Sequence, residues 1–298
     1  MSDTRINTEH KDRLFSFIFG KEKNKKWTLA LYNAVNHSDH NNPDDIEINT
    51  IEDYLYMGMK NDVSFLIHSS LNLYEHQSTY NPNMPMRQLI YLSQAYDKYI
   101  KKNKYNLYGG KKIEVPIPKL VTFYNGLKDT EDETDLYLSD LFPDDRNKDD
   151  ADVSVRVHMF NINYGRNKEL MDACKPLSEY AWFIERIRYY CRSMDIEKSV
   201  EHAMADMPDT FSIKEYLIAN RSEVQMICLT EYNEAETMNM FKEEGRLEGL
   251  EAGRREGIET GRRENRQEDL RKLASHLMSR DPDLSADEAM KQAQEILQ

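Results

Sequence analysis

No apolar stretch in these 298 residues approaches the ~20 needed to cross a bilayer. The opening MSDTRINTEHKDR has none of the apolar core of a secretory leader, so the expectation is a cytoplasmic protein without a membrane partner. Cysteine is scarce as well. Cys174, Cys191 and Cys228 are odd in number, far apart and without CxxC or histidine-rich company, which argues for reduced thiols and against a disulfide framework or a zinc site. Positive charge is also in deficit: 40 Lys and Arg stand against 53 Asp and Glu, a net −13. A chain that grips phosphates over its whole surface would need the opposite balance.

Where the charge sits changes its meaning. The window 129–152, DTEDETDLYLSDLFPDDRNKDDAD, holds eleven acids against Arg146 and Lys148, a net −9, and the remainder is far closer to neutral. The spacing there suggests a solvated loop beside a sheet, one that keeps a polyanion off the protein until displaced. Basic clusters lie elsewhere: Lys21, Lys23, Lys25 and Lys26 early in the chain, then Lys98, Lys101, Lys102, Lys104, Lys111 and Lys112 interleaved with Tyr99, Tyr105 and Tyr108. Such a set either tracks a phosphate backbone or solvates a helix end and a loop.

The most informative stretch is NDVSFLIHSSLNLYEHQS, residues 61–78. Val63, Phe65 and Ile67 alternate with Ser64 and Leu66, and after a polar break at His68-Ser69-Ser70 a second alternating run begins, the pattern of a tight antiparallel hairpin. Side chains two apart share a face, so Leu71, Leu73, Glu75 and Gln77 point one way while Asn72, Tyr74 and His76 point the other. Asp62, at the start of its strand, should lie level with Glu75 or Gln77. Two carboxylates and an amide then converge at the open end of the hairpin, an oxygen-rich set that suits Mg²⁺ or Mn²⁺ better than zinc. As strand-end groups, both carboxylates should be removable without unfolding the chain.

Asn61-Asp62 followed by Glu75-His76-Gln77 resembles the PD-(D/E)xK nuclease signature with glutamine in the lysine position. Together with Ser78, Met84-Pro85, Arg87, Tyr91 and the later Phe123-Tyr124-Asn125-Gly126, it resembles the Rpn/YhgA-like recombination-promoting nucleases, a transposase-related family. The resemblance implies a restriction-endonuclease-like α/β core, a mixed sheet flanked by helices. It also implies magnesium-dependent hydrolysis of DNA, with Asp62 and Glu75 as metal ligands, Gln77 completing the catalytic set, and a role in recombination or transposition. Arg87 would clamp a phosphate or pair with a structural carboxylate; Lys101, Lys102, Lys104, Lys111 and Lys112 would bind DNA. Two departures put the rate in doubt. Glutamine orients water or phosphate but carries no charge, and the helix expected at Trp27 to Val35 offers no additional acid. A chain with this fold that binds DNA or a protein partner without cutting is therefore the alternative.

Around that centre, residues 11–20 form a short apolar element, Ile46 to Met59 contributes a first strand, and Pro85 opens a helix running to Lys101 with Asn83 as its N-cap. Leu89, Leu92, Ala95 and Tyr99 form its inward stripe, with Arg87, Tyr91 and Gln94 near the site. Leu120 to Tyr124 is a core strand and Val153 to Phe160 an edge strand. From Lys168 the pattern is helical, with Leu177, Tyr180, Ala181, Phe183, Ile184, Ile187 and Tyr190 on one apolar face. Gly245, Gly249, Gly253, Gly257 and Gly261 recur every four residues in GRLEGLEAGRREGIETG. Each costs a helix ~1 kcal/mol against alanine, which points either to a flexible charged tether or to a helix packed closely on a second copy, making a homodimer. Leu270 to Leu277 and Ala286 to Leu297 would be two closing helices. The implied organisation is a nuclease core over 1–165, a helical extension packed on it over 166–240, and the glycine-repeat helix with its closing helices over 241–298.

Overall fold

The computed structural model describes residues 13–48, 62–143, 148, 150–281 and 284–296. The chain is α/β. An open mixed sheet of six strands has the order β1-β2-β3-β4-β6-β5, formed by β1 (Ile46–Ile48), β2 (Val63–Ile67), β3 (Ser70–Gln77), β4 (Ile117–Tyr124), β5 (Glu133–Tyr137) and β6 (Arg156–Asn161). The first three strands form an antiparallel meander, β4 lies parallel to β3, β6 parallel to β4, and β5 closes the edge antiparallel to β6.

The hairpin forms where alternation places it. Ile67 pairs with Ser70 across a two-residue turn, and His68 takes the left-handed conformation (φ 50°) that such a tight reversal demands. Beyond β3 the chain must travel back before a parallel strand can begin, and helix α3 (Met84–Lys102) makes that return. Pro85 sits in its first turn, where a missing N–H costs nothing. Asn83 occupies the N-cap position but makes no side-chain cap; Asn81 instead accepts from the Asn83 N–H at 2.9 Å.

β3 is central, and its two faces feed two cores. Leu71 and Leu73 pack with Met84, Tyr91 and Ala95 beneath α3, together with Tyr124, Leu136, Leu138, Val157 and Met159. On the other face Tyr74, Val121 and Phe123 join a larger cluster formed with α1 (Leu14–Phe19), α2 (Lys25–Asn36), α4 (Lys168–Ala173), α5 (Lys175–Tyr190), α6 (Ile196–Asp206), α7 (Lys214–Ala219) and the start of α8 (Arg221–Arg280). Leu177, Tyr180, Ala181, Phe183 and Ile187 are the buried members of the α5 stripe. Among the described residues no helix is long and apolar enough to cross a membrane.

Three expectations need correction. The acidic window is not a loop: it contains β5 and a short 3-10 turn at Leu138–Leu141. Thr134 and Leu136 alternate with Glu133, Asp135 and Tyr137, and Leu136 and Leu138 are buried under α3. The strand at Arg156–Asn161 is consequently interior, and its charged neighbour β5 is the edge, a composition that discourages pairing with another chain. Of the expected first strand, Ile46–Ile48 is present, and the rest of its span lies outside the described residues. Finally, Leu270 to Leu277 is no separate helix but part of α8.

Deleting 129–152 should therefore fail as a test of charge alone, because it strips the sheet edge and opens the core. Leu138→Ala by itself should cost about 2–4 kcal/mol, whereas neutralising the exposed Asp129 and Glu131 should leave stability within about 0.5 kcal/mol. Urea unfolding midpoints check both expectations; equal midpoints for Leu138→Ala and wild type would remove this segment from the core.

The chain divides into two compact units, Met1–Asn233 and Glu234–Gln298. The second has a small core of its own, in which Leu270, Leu273, Ala274 and Leu277 pack with Leu284, Ala289, Met290 and Ala293 of the segment containing α9 (Ala286–Ile296). Ser285 caps α9 reciprocally with Glu288: the Glu288 N–H donates to Ser285 Oγ and the Ser285 N–H to Glu288 Oε2, each at 3.3 Å.

Candidate functional site

The register Val63 to Tyr74 places Asp62 beside the end of β3. The two acids are tied together through the backbone: Asp62 N–H donates to Glu75 Oε2 at 3.3 Å, and His76 N–H donates to Asp62 Oδ2 at 2.7 Å. Asp62 retains 9% of its side-chain exposure and Glu75 only 1%. Glu75 is thus no solvated strand-end group, and truncating it should disturb the fold, contrary to the sequence expectation.

From α3, Arg87 reaches back to the strand. Its Nη2 donates to Glu75 Oε1 at 2.6 Å and to the Tyr91 hydroxyl at 3.0 Å. Of the two roles open to Arg87, pairing with a carboxylate is the one present. In the amide orientation that satisfies both of its ends, Gln77 accepts from Arg87 Nη1 at 2.7 Å and donates to the Thr79 carbonyl at 3.2 Å. Asp62, Glu75, Gln77, Arg87 and Tyr91 consequently form one group on the α3 side of the sheet end. Burial pushes the Glu75 carboxyl up, the like charge of Asp62 adds to this, and Arg87 and Arg13 pull it back.

The expected lysines are elsewhere. Lys101 and Lys102 end the helix that Arg87 begins, and at ~1.5 Å per residue the separation along its axis is about 20 Å. Lys101 pairs with Asp97 at 2.7 Å, Lys102 pairs with Glu47, and Lys104, Lys111 and Lys112 lie exposed in the connection to β4. They gather at the turn end of the hairpin, at the opposite end of the sheet from Glu75.

Other groups at the site escape any spacing rule. Arg13, just ahead of α1, donates from Nη1 to the His76 carbonyl at 2.8 Å and brings Nε within 3.8 Å of Asp62 Oδ1. Glu231 of α8 accepts from the Leu14 N–H at 3.0 Å, which ties the start of α1 in place. His76 faces away from Glu75, stacks on Phe15 and meets the Tyr180 hydroxyl through Nε2 at 3.0 Å. Burial, followed by Arg13 and Arg188, pushes the imidazole down to about 3, so it is neutral.

The donor chemistry accommodates a hard divalent cation. Asp62, Glu75 and the Gln77 amide offer only oxygen, and the repulsion that raises Glu75 is what a cation between two carboxylates relieves. Among the described residues no group of three or more His, Cys, Asp and Glu gathers as a metal cage. A site of two carboxylates suits Mg²⁺, which retains waters and takes its other oxygens from phosphate. Comparison of the chain with protein-family models, curated proteins and solved structures gives no match.

Proposed function

We propose that this chain is a divalent-metal-dependent DNA endonuclease with a restriction-endonuclease-like core, acting in recombination or transposition. The observation that carries the reading is the convergence of Asp62, Glu75 and Gln77 at one end of a hairpin, facing Arg87 and Tyr91 on the helix that follows. An order of helix, antiparallel meander, returning helix and parallel strand is compatible with such a core. Asp62 and Glu75 would hold Mg²⁺ or Mn²⁺, which when bound supplies charge to polarise a phosphodiester and lowers the pKa of a bound water. To hold the metal, Glu75 would have to be ionised and turned from Arg87, whose guanidinium, still anchored by Tyr91, would be left to pair with a phosphate. Gln77 orients water or phosphate through its amide. The test is cleavage of plasmid DNA with Mg²⁺ or Mn²⁺ by wild type and by variants at Asp62 and Glu75.

The Glu75–Arg87 pair also favours a second reading, because it satisfies the carboxylate without a metal, and Gln77 adds no charge. On that reading the chain binds DNA or a protein partner and does not cut. Intact plasmid together with a stable DNA complex would decide for it.

For the glycine repeat we propose self-association into a homodimer. Among the described residues, an added Cβ at Gly249, Gly253, Gly257 or Gly261 would meet nothing within 4 Å. If the face is solvated, replacing Gly249, Gly253 and Gly257 with alanine should stabilise the helix by about 1 kcal/mol each and leave the mass unchanged. If two copies pack there, leucine at the same positions should drive the dimer to monomer. Sedimentation equilibrium at matched concentration separates the outcomes, and a monomeric wild type ends the dimer proposal.

A further inference from the structure

On the face of the sheet away from Glu75 lies a second polar group that the reaction outlined above does not use. Arg188 of α5 donates from Nη1 to Asn163 Oδ1 at 3.0 Å and from Nη2 to the Asn125 carbonyl. Among the described residues no carboxylate is ion-paired with it, and burial pulls its guanidinium below the ordinary arginine range. Asn125 follows β4 directly, and its N–H continues the ladder to the Gln77 carbonyl at 2.8 Å. Its side chain is 1% exposed, and among the described residues both its amide nitrogen and its amide oxygen lack a partner. Gly126 locks this corner, since a Cβ there would fall 2.4 Å from the Ser78 carbonyl oxygen and 2.5 Å from the Tyr124 ring.

His76 shares that face. It pairs in register with Phe123, and by alternation Asn125 lies on the same side two residues further along. Where the Tyr180 hydroxyl donates to Nε2, the ring proton lies on Nδ1, a buried atom without a partner among the described residues. One guanidinium, one amide and one imidazole N–H therefore stand at the same sheet end with donors unspent. Leaving such groups unsatisfied costs about 1–3 kcal/mol each, and the Glu185 and Glu231 carboxylates act on Arg188 without forming an ion pair with it, so its guanidinium keeps N–H donors for an anion. Donors arriving from three different elements suit the tetrahedral oxygens of a phosphoryl group better than a planar carboxylate.

We propose that Arg188, Asn125 and His76 form a subsite for one phosphoryl group, the phosphate next to the one cut. The subsite rests on the nuclease reading for its role, but not for its chemistry. The group could belong to a nucleic-acid backbone or to free phosphate.

Titrating metal-free full-length protein calorimetrically with inorganic phosphate, and in parallel with a short DNA duplex, tests this. Wild type should bind at least one of the two, and Arg188→Gln should weaken that binding about tenfold or more. Asn125→Asp should abolish it, because the new carboxylate takes Arg188 for itself; this variant carries the test if Arg188→Gln does not fold. Binding of phosphate alone marks a free-phosphate site, while binding of duplex alone, with the same dependence on Arg188 and Asn125, marks the backbone. A wild type that binds neither, or variants that bind as wild type does, overturns the proposal. Phosphate binding that depends on Arg188 in a protein that never cuts DNA keeps the subsite and sinks the nuclease reading.

Discussion

Asp62→Asn and Glu75→Gln should each lower metal-dependent DNA cleavage by at least about a hundredfold, the loss that even outer-shell partners of metal ligands produce. Both changes keep side-chain volume and one acceptor oxygen. In Asp62→Asn that oxygen still receives the His76 N–H, now held at 2.7 Å. In Glu75→Gln one of two donors, Arg87 or the Asp62 N–H, loses its acceptor, a cost of about 1–3 kcal/mol. Glu75→Ala is a poorer probe. It leaves Arg87, whose side chain is only 24% exposed, without its carboxylate, and removing one partner of a buried pair costs as much as about 3–5 kcal/mol. Supercoiled-plasmid cleavage measured beside thermal melts separates chemistry from folding. Cleavage by either conservative variant at the wild-type rate would remove Asp62 and Glu75 from the reaction.

Metal and pH should act on stability in opposite directions above neutrality. The folded Glu75 carboxyl titrates above its ordinary value of 4.5, so once the unfolded chain has ionised, the folded chain still carries the proton. Stability is then lost as pH rises through the interval up to the folded value, at up to about 1.4 kcal/mol per pH unit. His76 has the opposite sign: held low, it takes no proton when folded, and its contribution is lost as pH falls below its ordinary 6.5. Between 4.5 and 6.5 the two slopes oppose each other, so the Glu75 effect is isolated above 6.5. Mn²⁺ needs the carboxylate, displaces its proton and at a hundredfold excess over its Kd adds about 2.7 kcal/mol. The metal-free melting temperature should fall with pH above 6.5, while the increment from Mn²⁺ grows. Both trends should vanish in Glu75→Gln; a variant with the wild-type profile would show that another group is responsible.

Local periodicity made much of this legible. The alternation from Val63 to Gln77 gives the hairpin, its register and the division of Glu75 from His76, because strand faces follow from counting by two. Pro85 and the stripe after it give α3, and Leu177 to Ile187 give α5. What depends on distance through space was not legible. No pattern links Arg13 to residues 62 and 76, or Arg188 to Asn125, since these contacts arise only when α1 and α5 pack on the sheet. In the acidic window, charge masked the short alternation of Thr134 and Leu136. The separation of the lysines from the site has a related reason: neighbours in sequence along α3 are set apart by the length of that helix.

On the nuclease reading, that length has a meaning in base pairs. Arg87 and Lys102 mark the two ends of α3, about 20 Å apart on its axis, and a duplex advances ~3.4 Å per base pair. A substrate held at both ends would have to continue for about six base pairs past the bond being cut. One helical turn added to α3 would lengthen that footprint by between one and two base pairs without touching a single group at the site.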